Sequence, residues 1–223
     1  ASMMTAVVGS KASVIDFPIT DLEGSERFAG DLLSQLTPSV LISIERCGPT
    51  QDGVYFNMRE RDISSQTAKV DRLFPGHPNT VGIGDGGNEI GMGNLASEVP
   101  AVPSLVKTPC ATTTTKLVIS SVSNWGGYGL VAALSRRTGK DLLISAEAER
   151  DLVTRMVDMG AVDGTTGSPE YTVDGFTLEE NGRVITELHD LLRDPVRIGV
   201  LNAAHDELGA DGENFDYWRV IHD

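Results

Sequence analysis

Short apolar runs alternate with amphipathic stretches along most of this chain, and this alternation constrains the fold more than any other feature. Residues 39–44 (SVLISI) form a continuous β-branched run, which is typical of a strand buried on both faces. The stretches between such runs carry apolar residues at helical spacing. Strands that alternate with helices usually pair in parallel. The sequence therefore predicts an α/β fold, with three α/β/α layers around a mostly parallel sheet.

Proline, glycine and capping residues set the expected bounds of these elements. Pro18 stops the first strand, Asp21 caps the first helix and Thr177 caps the last one. The pair Asn181-Gly182 is expected to interrupt that last helix early. Strands are predicted over residues 14–19, 39–44, 80–83, 117–122 and 197–201, and a long loop over residues 95–115. Helices are predicted over residues 23–36, 62–74, 129–138, 146–159 and 177–192.

The chain is long enough and apolar enough to bury a core, since it has 223 residues and 40% of them are hydrophobic. A single domain is expected over residues 1–223, with a polar tail over residues 202–223. The net charge of −14 argues against a nucleic-acid partner, and no apolar run of about 18 residues could span a membrane. Cys47 and Cys110 form no CxxC pair, which indicates the cytoplasm, or the mitochondrial matrix for a eukaryotic source. The sequence leaves homo-oligomerisation open.

Half of residues 82–93 (GIGDGGNEIGMG) are glycine, and this segment directly follows a predicted strand. In open α/β sheets, ligands bind beyond the carboxyl ends of the strands. Glycine lets backbone N–H groups approach an anion closely. The segment is no P-loop, however, and Asp85 stands where a phosphate would sit. Asp85 and Glu89 therefore favour an amine or a metal as the ligand; the alternative is a tight turn with a capping aspartate.

Polar residues also follow other predicted strands. Glu45 and Arg46 leave the second strand together, which predicts either a salt-bridged pair or an acid/base glutamate beside a carboxylate-binding arginine. In the segment SNWGGYG, Asn124 and Tyr128 offer directional hydrogen bonds, although the aromatic residues there would equally suit the core. Asp163 lies among glycines and threonines, where it either joins a site or makes an Asx-turn.

Two common site chemistries lack their motifs. The four histidines share no HxxxH or HxH spacing, which disfavours a zinc site. The motif GxSxG is absent, and neither cysteine stands beside a histidine in the sequence. A zinc enzyme and a serine or cysteine hydrolase are therefore not expected.

Four segments of the chain resemble the D-glutamate cyclase family. They are residues 42–59 (ISIERCGPTQDGVYFNMR), 82–93, 123–130 (SNWGGYGL) and 162–175 (VDGTTG and TVDG). The resemblance spans about residues 39–194 and implies a lyase that closes D-glutamate to 5-oxo-D-proline (pyroglutamate) with loss of water. Family members carry a further glycine-rich, threonine-containing segment ahead of the matched part. Residues 1–38 do not contain it, so the chain is expected to lack an N-terminal βα segment of the family.

The implied reaction needs a base for the α-amine and an acid for the departing γ-carboxylate oxygen. The acid/base candidates are Asp85, Glu89 and Glu45, because carboxyls with separated pKa values can serve in both roles. Arg46 and Arg59 are expected to bind the carboxylates of the substrate.

The remaining expected site residues hold the substrate. The backbone of Gly86 and Gly87 is expected to donate hydrogen bonds to the tetrahedral oxyanion. No cofactor is expected; the alternative is a divalent ion such as Mg²⁺ or Mn²⁺ on Asp85, Glu89 and Asp163. A different alternative is a non-catalytic domain that binds an acidic amino acid or a related carboxylate. The expected substrate contacts also include Asn57, Asn88, Asn124, Tyr128, Asp163 and Thr166.

Overall fold

The computed structural model describes Gly9 and residues 12–194. These residues form two compact units. The first consists of residues 15–126, and the second consists of residues 127–194 together with Gly9 and residues 12–14. In this part of the chain, no helix is both long enough and apolar enough to cross a membrane. The single domain expected over residues 1–223 stays a prediction. The strand expected at 197–201 and the tail over 202–223 lie outside the described residues.

The first unit contains a three-stranded parallel sheet with the strand order β1-β2-β3. Ile44 aligns with Ile83, and Ile83 aligns with Val118. The predicted α/β class and the parallel pairing are confirmed, and all three strands end at the same edge of the sheet. The strands are β1 (Leu41–Ile44), β2 (Thr80–Gly84) and β3 (Lys116–Ile119).

Strand β1 is less buried than its sequence predicts. Ile42 is 44% exposed and Ile44 is 48% exposed, whereas Ser43 between them is buried. Ile42 and Ile44 lie on the same face of β1, so that face is not covered and the expectation that residues 39–44 are buried on both faces is wrong. On the buried face Ser43 aligns with Gly82, where any side chain would collide with the loop that follows β2.

The strand predicted over residues 14–19 is wrong. This segment has no regular structure, and Val14, Ile15 and Ile19 are exposed. Phe17 packs edge-on against Phe28, with ring centroids 4.9 Å apart. The segment therefore contacts the helix that follows it rather than a neighbouring strand.

The helix predicted over residues 62–74 is also wrong. Asp62 Oδ1 accepts from the backbone N–H of Ser64 at 2.9 Å, and buried Asp71 accepts from the hydroxyl of Tyr55 at 2.6 Å. The Asp62 bond offers the backbone an alternative to the helical ladder, and the Tyr55 bond holds Asp71 against another part of the chain. Two short 3₁₀ helices form instead, Ser64–Gln66 and Val70–Leu73.

The other helices lie close to their predicted positions. Asp21 and Thr177 cap the first and last helix as predicted, and the Asn-Gly pair does not interrupt the last one. The second helix begins at Ser123 rather than Gly129, so the segment SNWGGYG forms its first turns. The helices are α1 (Leu22–Leu36), α2 (Ser123–Thr138), α3 (Ala146–Asp158) and α4 (Leu178–Arg193), and the hairpin strands β4 (Thr172–Val173) and β5 (Phe176–Thr177) precede α4.

The long loop over residues 95–115 contains no α-helix or β-strand, as predicted. It lies against the glycine-rich segment, because Val106 N–H donates to the carbonyl of Gly86 at 3.1 Å. Val99 and Val106 of the loop pack with Met92 and Leu117 in one apolar cluster.

Candidate active site

Three carboxylates meet beyond the carboxyl ends of the parallel strands. Glu45 directly follows β1, and Asp85 and Glu89 follow β2. One oxygen atom from each of the three lies within 4.8 Å of those of the other two. Glu45 is exposed, Asp85 is half-buried and Glu89 is buried. We call these three residues the carboxylate cluster; they are the residues that the sequence predicts for acid/base work, and that role stays a prediction.

The chain after β1 pairs with the glycine-rich segment and holds it in place. Cys47 and Glu89 form an antiparallel bridge. On either side of it, Gly48 N–H donates to the Asn88 carbonyl at 2.9 Å, and Ile90 N–H donates to the Arg46 carbonyl at 2.8 Å. Backbone bonds therefore fix the position of Glu89 relative to the end of β1.

Two glycines of the segment are required by the geometry around Glu89. A Cβ on Gly84 would lie 2.9 Å from Glu89 Oε2, so a side chain there would displace the carboxylate. Gly87 has a φ of +101°, a conformation that residues with a side chain rarely adopt. The glycine excess of the sequence is thus explained in part by the close approach of the backbone to one carboxylate.

The Glu89 carboxylate is 1% exposed and receives a hydrogen bond on each oxygen. Gly86 N–H donates to Oε1 at 2.9 Å, and Gly87 N–H donates to Oε2 at 2.8 Å. These bonds offset part of the cost of burying a carboxylate. The expected oxyanion donors are therefore engaged by Glu89 in this structure, and their donation to a substrate oxyanion would require that the Glu89 carboxylate moves.

Asp85 connects the cluster to the beginning of α2. Its Oδ2 accepts from the backbone N–H of Ser123 at 3.2 Å and lies 3.3 Å from the Ser123 hydroxyl. Ser123 is the first residue of α2, where the helix dipole favours negative charge. Asp85 is thus a capping aspartate, as one alternative from the sequence had it, and the helix that it caps begins 38 residues further along the chain.

Glu45 leaves the sheet with a left-handed backbone. Its φ is +56°, which costs a residue with a side chain about 1–2 kcal/mol. Its N–H still donates to the carbonyl of Ile83 at 3.1 Å, so the strand pairing reaches this residue. Strained backbone of this kind is frequent at functional sites.

A hairpin turn over residues 55–62 approaches the cluster. Its base is the antiparallel bridge between Phe56 and Asp62, and Asn57 N–H donates to the carbonyl of Arg61 at 3.1 Å. Met58 lies over Gly86, and its sulfur occupies the space that a Cβ on Gly86 would need. Arg59 is exposed at the tip. We call residues 57–60 the hairpin tip.

The Asn57 side chain makes local hydrogen bonds in this structure, and its role as a substrate contact stays a prediction. Its Oδ1 accepts from the backbone N–H groups of Arg59 at 3.0 Å and Arg61 at 3.1 Å. These are the bonds of an Asx-type turn. The Asn57 side chain therefore shapes the hairpin tip.

Arg46 and Asn88 each bury a polar atom that has no partner among the described residues. Arg46 donates through Nη2 to the carbonyl of Ala68 at 2.8 Å, but its Nε is unpaired. Asn88 is 7% exposed and donates through Nδ2 to the carbonyl of Phe56 at 3.0 Å, but its Oδ1 is unpaired. Buried polar atoms without partners are costly. Each of these two residues is adjacent in sequence to a member of the carboxylate cluster.

Asp163 and Thr166 belong to the second unit and are explained by its loop. Asp163 Oδ1 accepts from the N–H groups of Thr165 and Thr166, and Oδ2 accepts from the Thr172 hydroxyl and Gly175 N–H, at 2.8–3.0 Å. Burial opposes ionisation of Asp163, but these bonds outweigh it and hold its pKa below the ordinary value. Asp163 therefore makes the Asx-turn, and its place among the substrate or metal contacts stays a prediction.

Tyr128 and Asn124 stand on α2. Asn124 is exposed in the first turn. The Tyr128 hydroxyl donates to Oε1 of Glu149 at 3.3 Å, and the other oxygen of this fully buried glutamate has no partner among the described residues. Burial raises the pKa of Glu149, and the Tyr128 bond compensates only in part.

Two residues of this region were not singled out from the sequence. Met58 gives no signal, because an exposed methionine in a turn is ordinary. Glu60 accepts backbone hydrogen bonds from Lys107 and Thr108, 47 and 48 residues away. No local pattern predicts a contact of that separation.

Comparisons with known proteins agree with the sequence resemblance. The family model described as "D-glutamate cyclase-like, C-terminal" matches residues 2–189. A human protein named "D-glutamate cyclase, mitochondrial" is 41% identical over 101 residues, which cover 42% of this chain. The match spans only 16% of the human protein's length.

Proposed function

This chain belongs to the D-glutamate cyclase-like family, and from that premise we propose that it closes D-glutamate to 5-oxo-D-proline and water. The observation that carries the proposal is the carboxylate cluster, in which three carboxylate oxygens lie within 4.8 Å of one another. Such a reaction is an intramolecular dehydration, so the protein is a lyase in this proposal. The human relative's name states the same substrate.

The proton balance of the reaction requires more than one acid/base group. The α-nitrogen forms a bond to the γ-carbon, and one γ-oxygen departs as water. The ammonium therefore loses two protons, and the departing oxygen gains two. Neighbouring carboxylates can accept these protons from the nitrogen and return them to the oxygen. Asp85 and Glu45, the two more accessible members of the cluster, are the groups that we assign to this transfer.

Glu89 has a different part in this proposal. Its buried carboxylate is fixed by Gly86 and Gly87 N–H groups, so its negative charge has a defined position. A fixed anion there attracts the substrate ammonium and orients it toward Asp85 and Glu45. The unpaired Oδ1 of Asn88 is an acceptor for the same ammonium, and the unpaired Nε of Arg46 is a donor for a substrate carboxylate.

The test is incubation of the purified protein with D-glutamate or L-glutamate, followed by chiral chromatography for 5-oxoproline. We expect 5-oxo-D-proline from D-glutamate. Binding of D-glutamate by calorimetry without any product would instead support a non-catalytic domain for acidic amino acids. If the protein does not bind D-glutamate and forms no product, both functions are contradicted.

A divalent ion on Glu45, Asp85 and Glu89 is the alternative to a metal-free site. Hard cations such as Mg²⁺ or Mn²⁺ prefer carboxylate ligands, and an ion there would polarise the γ-carboxylate as a Lewis acid. Turnover that survives exhaustive chelation favours the metal-free site, whereas a loss restored by one added ion favours the metal.

We propose the cytoplasm as the location, or the mitochondrial matrix for a eukaryotic source.

A further inference from the structure

One carboxylate bonds the hairpin tip to a distant part of the chain. Oε1 of Glu60 accepts from the backbone N–H of Lys107 at 2.8 Å and of Thr108 at 2.9 Å. Glu60 has a φ of +52°, so the turn carries strain at the residue that makes these bonds. Glu60 is exposed, and a surface glutamate seldom receives two backbone donors unless the backbone presents them together.

These bonds close a ring of contacts that passes through Gly86, one of the two donors to the buried Glu89. Val106 N–H, beside the donors to Glu60, donates to the Gly86 carbonyl at 3.1 Å. Met58, two residues before Glu60, lies over the same Gly86. Gly86 N–H in turn donates to Glu89. The hairpin tip therefore touches the backbone that holds Glu89 by two routes.

Arg59 stands between Met58 and Glu60 in this tied turn. It is exposed, and its guanidinium makes no ion pair or hydrogen bond within the described residues. Its backbone is fixed instead, since its N–H donates to Asn57 Oδ1 at 3.0 Å. A guanidinium on a fixed turn suits bidentate binding of a carboxylate, because less conformational freedom is lost when the ligand binds.

We propose that Glu60 is a positioning residue: its bonds to Lys107 and Thr108 hold the hairpin tip at the carboxylate cluster, where Arg59 binds a carboxylate of the substrate. The inference rests on the proposed function for the identity of the substrate, and it explains how a site rich in carboxylates binds a dicarboxylate. Loss of the Glu60 bonds weakens substrate binding and leaves the proton-transfer groups in place.

The first readout needs no enzymatic activity. Trypsin cleaves after arginine, and residue 60 flanks both Arg59 and Arg61. Native-state cleavage there, divided by the cleavage rate of a short peptide with the same substitution, reports how often the hairpin tip opens. We expect Glu60→Ala to raise the cleavage rate by about tenfold or more, because two charge-assisted bonds are lost. Glu60→Gln keeps an oxygen acceptor and is expected to stay within about threefold of the parent. Glu98→Ala, at an exposed glutamate of the same unit, is the control.

A further variant distinguishes the effect of backbone strain at Glu60 from the effect of losing its hydrogen bonds. Glu60→Gly relieves the cost of a positive φ and still lacks the carboxylate. We expect its hairpin tip to be cleaved as fast as that of Glu60→Ala. Cleavage of both variants at the parental rate would overturn the tying role of Glu60.

The second readout is steady-state kinetics with D-glutamate. We expect Glu60→Ala to raise KM by about fivefold or more with kcat within about threefold, and Glu60→Gln to restore KM. Faster cleavage with an unchanged KM would overturn the positioning role. If the parent forms no product, protection of Arg59 from trypsin by D-glutamate replaces the kinetics: protection that is lost in Glu60→Ala supports the inference, and its absence in the parent overturns it. Failure of the proposed function is thereby distinguished from failure of this inference.

Discussion

Two glycine-rich segments of this protein each bury one carboxylate, but they use it differently. Asp163 accepts four hydrogen bonds, two on each oxygen, all from residues 165–175. Glu89 accepts one on each oxygen and lies beside two further carboxylates. Both segments look alike in sequence, since each combines glycine with aspartate or glutamate. A saturated carboxylate stabilises a loop, whereas an unsaturated one next to other charges retains bonding capacity for a ligand.

Of the variants that compare these two carboxylates, the one at Glu89 is expected to have the largest effect. Glu89→Gln removes the charge and places an amide NH₂ against Gly86 or Gly87 N–H, so one of these N–H groups loses its acceptor. We expect D-glutamate turnover to fall by about 100-fold or more and the free energy of unfolding to fall by about 1–3 kcal/mol. Both are measured on the same preparation, by product chromatography and urea unfolding.

Glu98→Gln, at an exposed glutamate of the same unit, is the matched control for that variant. It is expected to behave as the parent in both measurements. Parental turnover in Glu89→Gln would remove the distinction between the two segments.

The saturated carboxylate is expected to affect stability. Asp163→Ala leaves the donors of Thr165, Thr166, Thr172 and Gly175 without their acceptor. We expect the free energy of unfolding to fall by about 2–3 kcal/mol, because hydrogen bonds to a charged group are lost. Urea unfolding checks this against Asp151→Ala, at an exposed aspartate of α3. Equal stability of the two variants would show that the Asp163 bonds do not hold the loop.

A smaller effect is expected at Glu149, whose pKa shifts in the direction opposite to that of Asp163. Burial raises the pKa of Glu149 above its ordinary value of 4.5. The unfolded chain therefore ionises first, and stability falls as pH rises from about 4.5 through the raised folded pKa. Glu149→Gln should lack this fall and be more stable than the parent at pH 7, with the gain disappearing below pH 4.5.

Asp163 gives the reverse dependence. Its folded pKa lies below the ordinary value of 3.8, so its stabilisation is present above that value and is lost as pH falls through the folded pKa. Urea unfolding between pH 3 and pH 7 measures both residues. A gain in Glu149→Gln that does not change with pH would contradict the assignment.

The meeting of the three carboxylates could be predicted from the sequence, because the ends of parallel strands meet at one edge. Glu45, Asp85 and Glu89 were expected there and lie together. The partners of the backbone donors could not be predicted. Gly86 and Gly87 were assigned to a ligand, but a glutamate of the same loop reaches them first. Six glycines in twelve residues indicate that the backbone approaches another group closely, but they do not identify that group.

The failed helix prediction over residues 62–74 also has its origin in side-chain bonds. Residues 62–74 have a helical pattern, yet Asp62 bonds to Ser64 and Tyr55 bonds to Asp71. These contacts are stronger constraints on so short a segment than its helix propensity. The helices with a capping residue at their predicted start, α1 and α4, were found where expected.

The most direct test of the central claim is turnover of D-glutamate by Asp85→Asn. The amide oxygen of asparagine can still accept from Ser123 N–H, so the cap of α2 and the fold are retained. The account predicts that formation of 5-oxo-D-proline falls by roughly 10²–10⁴-fold while thermal unfolding stays close to that of the parent, as expected for a proton-transfer group. Turnover within about threefold of the parent would contradict the assignment of this chemistry to the carboxylate cluster.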